Sequence, residues 1–162
     1  MNTPQPPENI RTPSQVDALP APQTGEIARA VQVLLEHGTI VDAADRRIIA
    51  GSLEFLNAPT QNLPDIERHA SAIGEVMCGY DMQGAVPPSE VDALNRHLQT
   101  LLCQAHMSNA RTGLALVPCD PERVRYSARF AVDIATTFSK GYHDDTLLKQ
   151  ALALQEQVEQ LK

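Results

Sequence analysis

The chain has 162 residues, a formal net charge of −7, 43% hydrophobic residues, 4% aromatic residues and no Trp. This length suits one domain that buries its own core without disulfide or metal staples. The acidity excludes the basic face of a nucleic-acid-binding protein, and the few aromatics exclude a stacking platform for single strands. No apolar run approaches the ~20 residues that span a bilayer, and no signal peptide is visible. The composition therefore predicts a soluble acidic domain.

The first 22 residues contain six of the twelve prolines, with Asn, Gln, Thr and Ser between them. Such a stretch cannot offset its ordering entropy by burial. Residues 1–23 are therefore predicted to form a disordered, polyproline-like tail, and residues 24–162 a single helical domain. Within the tail, Pro4-Gln5-Pro6-Pro7 matches the loose P-x-x-P form.

The first two helices are predicted from periodic apolar residues. The first should run from about Gly25 to His37, with Thr24 as N-cap and Gly38 as its left-handed stop. The second should span about residues 42–57. A helix-turn-helix unit would place Arg46 and Arg47 in a recognition helix. Nearby acids cancel their charge, which favours ordinary antiparallel packing over DNA binding.

The third helix is predicted over about residues 64–82, and Gly74 within it indicates close approach of another helix. The fourth should begin with Ser89 as N-cap and end near Met107. Residues 109–119 have no helical pattern and are predicted to be a short extended segment or a loop.

Asp120 and Pro121 are a strong start signal for a fifth helix, which should stop at Gly141. A sixth should begin near residues 144–145 and continue to the C-terminus. No repeat of a fixed period is legible, which disfavours a regular solenoid. The predicted fold is an all-α bundle of five to six helices.

The last helix carries apolar residues at the spacing of a heptad seam, namely Leu147, Ala151, Leu154, Val158 and Leu161. Two repeats do not establish a coiled coil. The sequence leaves two interpretations open, a final helix docked on the core or a homodimer formed through this seam.

The three cysteines are widely and irregularly spaced, which predicts a reducing cytoplasm rather than a disulfide framework. Common catalytic and nucleotide-binding motifs are absent from the sequence, so we expect no enzyme activity and no cofactor or metal. Four residues keep a helical enzyme or metal-binding protein open as an alternative. They are His69 on an apolar face, the Cys103 and His106 pair, and Cys119 before a helix start.

The acid is concentrated in residues 25–120, which hold six arginines against twelve acids, while residues 121–162 are charge-balanced. An acidic section attracts a basic partner. We therefore predict a bacterial adaptor, chaperone, inhibitor or regulator that binds a protein through an acidic surface formed by Glu75, Asp81, Glu90 and Asp92. The alternative is a secreted bacterial effector that uses its polar N-terminus as an export signal.

Overall fold

The structure, a computed structural model, describes residues 21–37, 40–58 and 62–161. They form six α-helices and no strand. The helices are α1 (Ala21–Glu36), α2 (Ala43–Leu56), α3 (Leu63–Met82), α4 (Ser89–Ala115), α5 (Pro121–Tyr142) and α6 (Thr146–Glu159). The all-α prediction is confirmed. The proline-rich segment 1–20 and Gly38 lie outside the described residues. Among the described helices, none combines the length and apolarity that crossing a bilayer requires.

Each helix packs on the next one in the chain, and the short links between them make consecutive helices antiparallel. At the α1–α2 corner, the Arg46 guanidinium donates hydrogen bonds to the carbonyls of Leu35 and Ile40. Asn95 near the start of α4 donates to the Tyr142 hydroxyl at the end of α5 over 2.8 Å. As a result α2, α4 and α6 begin at one end of the molecule, called here the α2/α4/α6 end.

Two hydrophobic cores share α4. The first lies between α1, α2, α3 and one face of α4, which contributes Val91, Leu94, Leu98, Leu101 and Ala105. The second lies between α5, α6 and another face of α4, which contributes Cys103, Met107 and Ala110. Arg46 is not free to read DNA, because its guanidinium connects α1 to α2 through two backbone carbonyls.

The prediction that helicity is lost from residue 109 is wrong, because α4 continues to Ala115. Ala110 is fully buried and Leu114 packs against the second core. The burial of α4 moves from its first face to the opposite one, so a search for one apolar stripe loses the helix there. Only residues 116–120 form the link to α5.

The close helix approach predicted at Gly74 is also wrong, and it occurs at Gly113 instead. A Cβ at Gly74 would meet nothing within 4 Å. A Cβ at Gly113 would lie 2.6 Å from Cγ2 of Val124. The absence of a side chain therefore matters where α4 crosses α5.

Several helix ends differ from the predicted ones. α1 begins at Ala21, so Thr24 lies inside the helix. Ser89 is the first residue of α4, and its hydroxyl donates to Glu90 rather than capping the helix. α5 ends on His143 in the left-handed conformation (φ 53°) rather than on Gly141. α6 begins at Thr146, after Asp145, and ends at Glu159.

Candidate functional site

The acids predicted as a partner surface occupy different environments. Glu75 and Asp81 are exposed on α3. Glu90 is half-buried and accepts a hydrogen bond from Ser89. Asp92 is half-buried and accepts from the Tyr142 hydroxyl over 3.4 Å, at the contact of α4 with α5. Of the four, Asp81 is the exposed acid closest to the α2/α4/α6 end.

A cleft of about 610 Å³ opens at this end, between the start of α2 and the end of α3, and Asp81 is not among the residues that line it. Its lining is formed by Val41, Asp42, Ala43, Asp45, Gly79, Tyr80 and Gln83. It exists because α2 and α3 are antiparallel, which brings the first turn of one beside the last turn of the other. The cleft is the candidate site.

The two aspartates of the cleft have different local roles. Asp42 is the N-cap of α2, and its Oδ1 accepts the backbone N–H groups of Ala44 and Asp45 at 2.8 and 3.1 Å. This bonding satisfies free donors at the helix start. Asp45 lies one turn further along, where a carboxylate interacts favourably with the positive end of the helix dipole. Capping of α2 therefore accounts for an aspartate at position 42. Its carboxylate also adds a negative charge to the cleft.

The pKa shifts in the cleft are caused mainly by burial and, to a smaller extent, by the carboxylates of the cleft. Burial, followed by the nearby charge of Asp42, raises the pKa of the Asp45 carboxyl above its usual value. Burial, followed by the charges of Asp45 and Asp42, raises the pKa of the Tyr80 hydroxyl. Both shifts mean that a further negative charge is disfavoured here, so a bound cationic group would relieve repulsion.

Asp81 occupies a position where a carboxylate costs stability. It lies in the last turn of α3, where the helix dipole is negative and no basic residue is present. It is exposed, and among the described residues it has no ion-pair partner. Local helix chemistry therefore does not account for Asp81 as it does for Asp42.

Exposed apolar side chains stand at the edge of the cleft and on the loop that follows it. Val41 lines the cleft and is 87% exposed, Met82 ends α3 at 82%, and Val86 in the next loop is 89% exposed. Carboxylates beside flexible apolar groups form a surface that suits a segment with both basic and apolar residues.

A second surface feature lies on α5, away from the cleft. The rings of Tyr126 and Phe130 are 4.7 Å apart and stand 60% and 38% exposed. The ring of His106 stacks under Phe130 at 5.2 Å, and its Nε2 lies 3.4 Å from a carboxylate oxygen of Glu67 on α3. We call Tyr126 and Phe130, with His106 beneath them, the aromatic ledge.

The residues considered for metal binding or catalysis do not converge. His69 lies 3.2 Å from the Ser52 hydroxyl and stacks on Phe55 at 4.5 Å. The Cys103 thiol donates to the Ala131 carbonyl in the α4–α5 contact, whereas His106 faces α3. Among the described residues, no three His, Cys, Asp or Glu side chains are grouped closely enough to hold a metal.

Their protonation behaviour agrees with packing roles. Burial raises the pKa of the Cys103 thiol to about 12, so the thiolate that binds metals or attacks substrates is disfavoured. Burial also lowers the pKa of His69 and of His106, against the opposing pull of Glu67 in the second case. Cys119 is half-buried in the α4–α5 link.

The heptad seam of α6 packs inside the same chain. Leu147, Ala151, Leu154 and Val158 are buried in the second core, and Leu161 packs against it. Their partners are on α5 and α4, which is the docked-helix interpretation that the sequence left open. Self-association through this seam stays a prediction.

Asp42, Asp45 and Tyr80 are not among the residues that the sequence predicts for a site. The sequence offers the acids near Arg46 and Arg47 only as neutralising the charge of those arginines. The link between α2 and α3 is short, so antiparallel packing of the two helices could have placed Asp45 near Tyr80.

Comparison of the chain with protein-family models, with curated proteins and with solved structures gives no match.

Proposed function

We propose that this chain is a non-catalytic protein-binding module that holds a basic, amphipathic segment of a partner protein in the α2–α3 cleft. The observation that carries the proposal is the cleft itself, with the carboxylates of Asp42 and Asp45 in its lining. Cationic side chains of the partner would sit against these carboxylates, and its apolar side chains against Val41 and Met82.

The charge pattern supports this choice over an enzyme. Among the described residues, Asp42 and Asp45 form no ion pair. A surface that binds a cationic segment requires such carboxylates, since their partner arrives with the ligand. No described feature offers a comparable arrangement for proton transfer or nucleophilic attack.

The test is capture of partners from the native cell, quantified by mass spectrometry. Wild-type chain is compared with Asp42→Asn/Asp45→Asn, in which Asn still caps α2, and with the matched control Glu156→Gln/Glu159→Gln, two exposed acids on α6. Losing two surface ion pairs costs about 1–2 kcal/mol, so we expect about a five- to thirty-fold drop in affinity for the cleft variant. Equal capture by all three proteins would reject the cleft as the binding site.

We further propose that this binding takes place in the cytoplasm. The thiols of Cys78, Cys103 and Cys119 are all free, which suits a reducing compartment. The secreted-effector alternative is tested separately by fusing residues 1–24 to a reporter. Export of the fusion would favour the effector, and retention would favour the cytoplasmic adaptor.

A further inference from the structure

We propose that the aromatic ledge on α5 is a docking site for the proline-rich segment Pro4–Pro7 of the same chain. The proposal does not depend on the α2–α3 cleft. It concerns a different surface, a different ligand chemistry and a different part of the chain.

The first reason is the chemistry of the ledge. Polyproline segments bind shallow surfaces made of neighbouring aromatic rings, because their rigid backbone loses little entropy on docking. Tyr126 and Phe130 are such a pair, one turn apart on α5 and tilted by 52°. Stacking of His106 beneath Phe130 holds that ring in place from the core side.

The second reason is a small cavity next to the ledge. It measures about 90 Å³, and its lining includes Ser127, which directly follows Tyr126, and Arg123, which precedes Tyr126 by three residues. Asn109 also lines it, and the buried Oδ1 of Asn109 has no hydrogen-bond partner in the part of the chain that the structure describes. A polyproline segment carries peptide N–H groups at its non-proline positions, and Gln5 has one to donate.

Exposed apolar and basic residues border this region. Leu116 and Val117, in the link before α5, are 54% and 97% exposed. Arg123 and Arg129 are exposed on the same helix as the ledge. Glu8 directly follows Pro7, so docking of Pro4–Pro7 brings an acid toward a basic helix.

The third reason is where the tail joins the fold. α1 packs on α4 and α4 on α5. Because neighbours are antiparallel, α1 begins at the end of the bundle where α4 finishes and α5 starts. Two interhelical spacings amount to roughly 20 Å. Residues 8–20 separate Pro7 from Ala21, and as an extended chain they span about 40 Å.

Because the proline-rich segment is attached to the same chain as the aromatic ledge, a weak contact is sufficient to keep it partly bound. A short flexible linker holds its ligand at an effective concentration of about 1 mM, so a segment with a millimolar Kd is about half bound. The ledge would then be partly covered in the free protein, and any external proline-rich segment would have to displace the tail.

The test uses the full chain and its lack of Trp. Tyr126→Trp supplies a single fluorophore in the ledge, and acrylamide quenching reports how far it is covered. We compare this protein with the same protein carrying Pro4→Ala, Pro6→Ala and Pro7→Ala, and expect about two-fold stronger quenching in the second for half occupancy. As the control, Leu152→Trp, at an exposed position of α6, should give the same quenching with the unaltered tail and with the three prolines replaced.

Equal quenching of the ledge Trp with both tails would overturn the proposal. A difference that grows with protein concentration would also overturn it, because the ledge would then hold the tail of a second copy. If Tyr126→Trp fails to fold, the NMR resonances of the Phe130 ring in the otherwise unaltered chain give the same comparison. Phe130 resonances that move when the three prolines are replaced support docking, and unchanged resonances reject it.

Discussion

At the scale of single residues, α4 holds side chains whose protonation is linked to folding. His97 is 6% exposed, and among the described residues its Nε2 has no hydrogen-bond partner. Burial lowers the pKa of His97 from 6.5 to about 4. The folded state therefore holds this imidazole neutral, whereas the unfolded chain protonates it near pH 6.5.

We predict that His97 makes the protein less stable on acidification. Because the folded pKa is below the unfolded one, its contribution is complete above pH 6.5 and is lost as the pH falls from 6.5 toward 4. The loss is about 1–2 kcal/mol at pH 5. Urea unfolding at pH 7 and pH 5 should show a smaller pH effect in His97→Gln than in wild type. The exposed His37→Gln should leave the difference unchanged, and an equal pH effect in all three proteins would contradict the prediction.

We predict that Asp81→Asn stabilises the fold. Removing a carboxylate from the last turn of α3 relieves an unfavourable interaction with the helix dipole, worth about 0.3–1 kcal/mol. Asp65→Asn in the first turn of the same helix should have the opposite effect, since Asp65 favours the dipole there and pairs with Arg68 at 2.9 Å. Thermal melts at low salt measure both changes. Loss of stability in both variants would contradict the prediction, because the Asp81 carboxylate would then make a net stabilising contact in the fold.

At the scale of elements, α4 is the helix whose length the sequence underestimates most. A helix that packs against one core can be followed in the sequence by a single apolar stripe. The starts of α2 and α5 can also be predicted, because Asp42 and Asp120 are capping residues. α4 instead leaves one core and enters another on its opposite face, so its stripe is broken near Met107. That change of face depends on where α5 packs, which no local pattern contains.

We predict opposite effects of alanine at two glycines. At Gly113, a Cβ 2.6 Å from Val124 would force α4 and α5 apart, at a cost of about 1–3 kcal/mol. At Gly74, the space is open, and alanine should stabilise α3 by about 0.5–1 kcal/mol. Urea unfolding of Gly113→Ala and Gly74→Ala measures both. A stable Gly113→Ala would mean that α4 and α5 pack less closely than the structure shows.

We predict that Leu154→Glu lowers the free energy of unfolding by about 3 kcal/mol or more, because Leu154 is 4% exposed in the second core. Leu152→Glu, exposed on the same helix, should change it little. Melting and sedimentation are measured together. A dimer that becomes a normally stable monomer in Leu154→Glu would show instead that the α6 seam joins two copies.

At the scale of the whole molecule, the acid-rich first section and the charge-balanced pair α5–α6 correspond to the two cores. The acid–base inventory of the chain predicts an acidic section, but not which acids stand together. Asp92 accepts a hydrogen bond from Tyr142, and Glu90 accepts one from Ser89. Asp45 on α2 instead acts through its charge on Tyr80 of α3. Pairing between elements decides this, so the cleft could be predicted only in outline.

The most direct test of binding in the α2–α3 cleft is an NMR titration of the full chain with the segment of the partner that it captures. We expect the largest shifts at the backbone amides that line the cleft, those of Asp42, Ala43, Asp45, Gly79 and Gln83, and we expect them to shrink as salt is raised. Shifts centred on Tyr126 and Phe130, with the cleft amides unmoved, would contradict it.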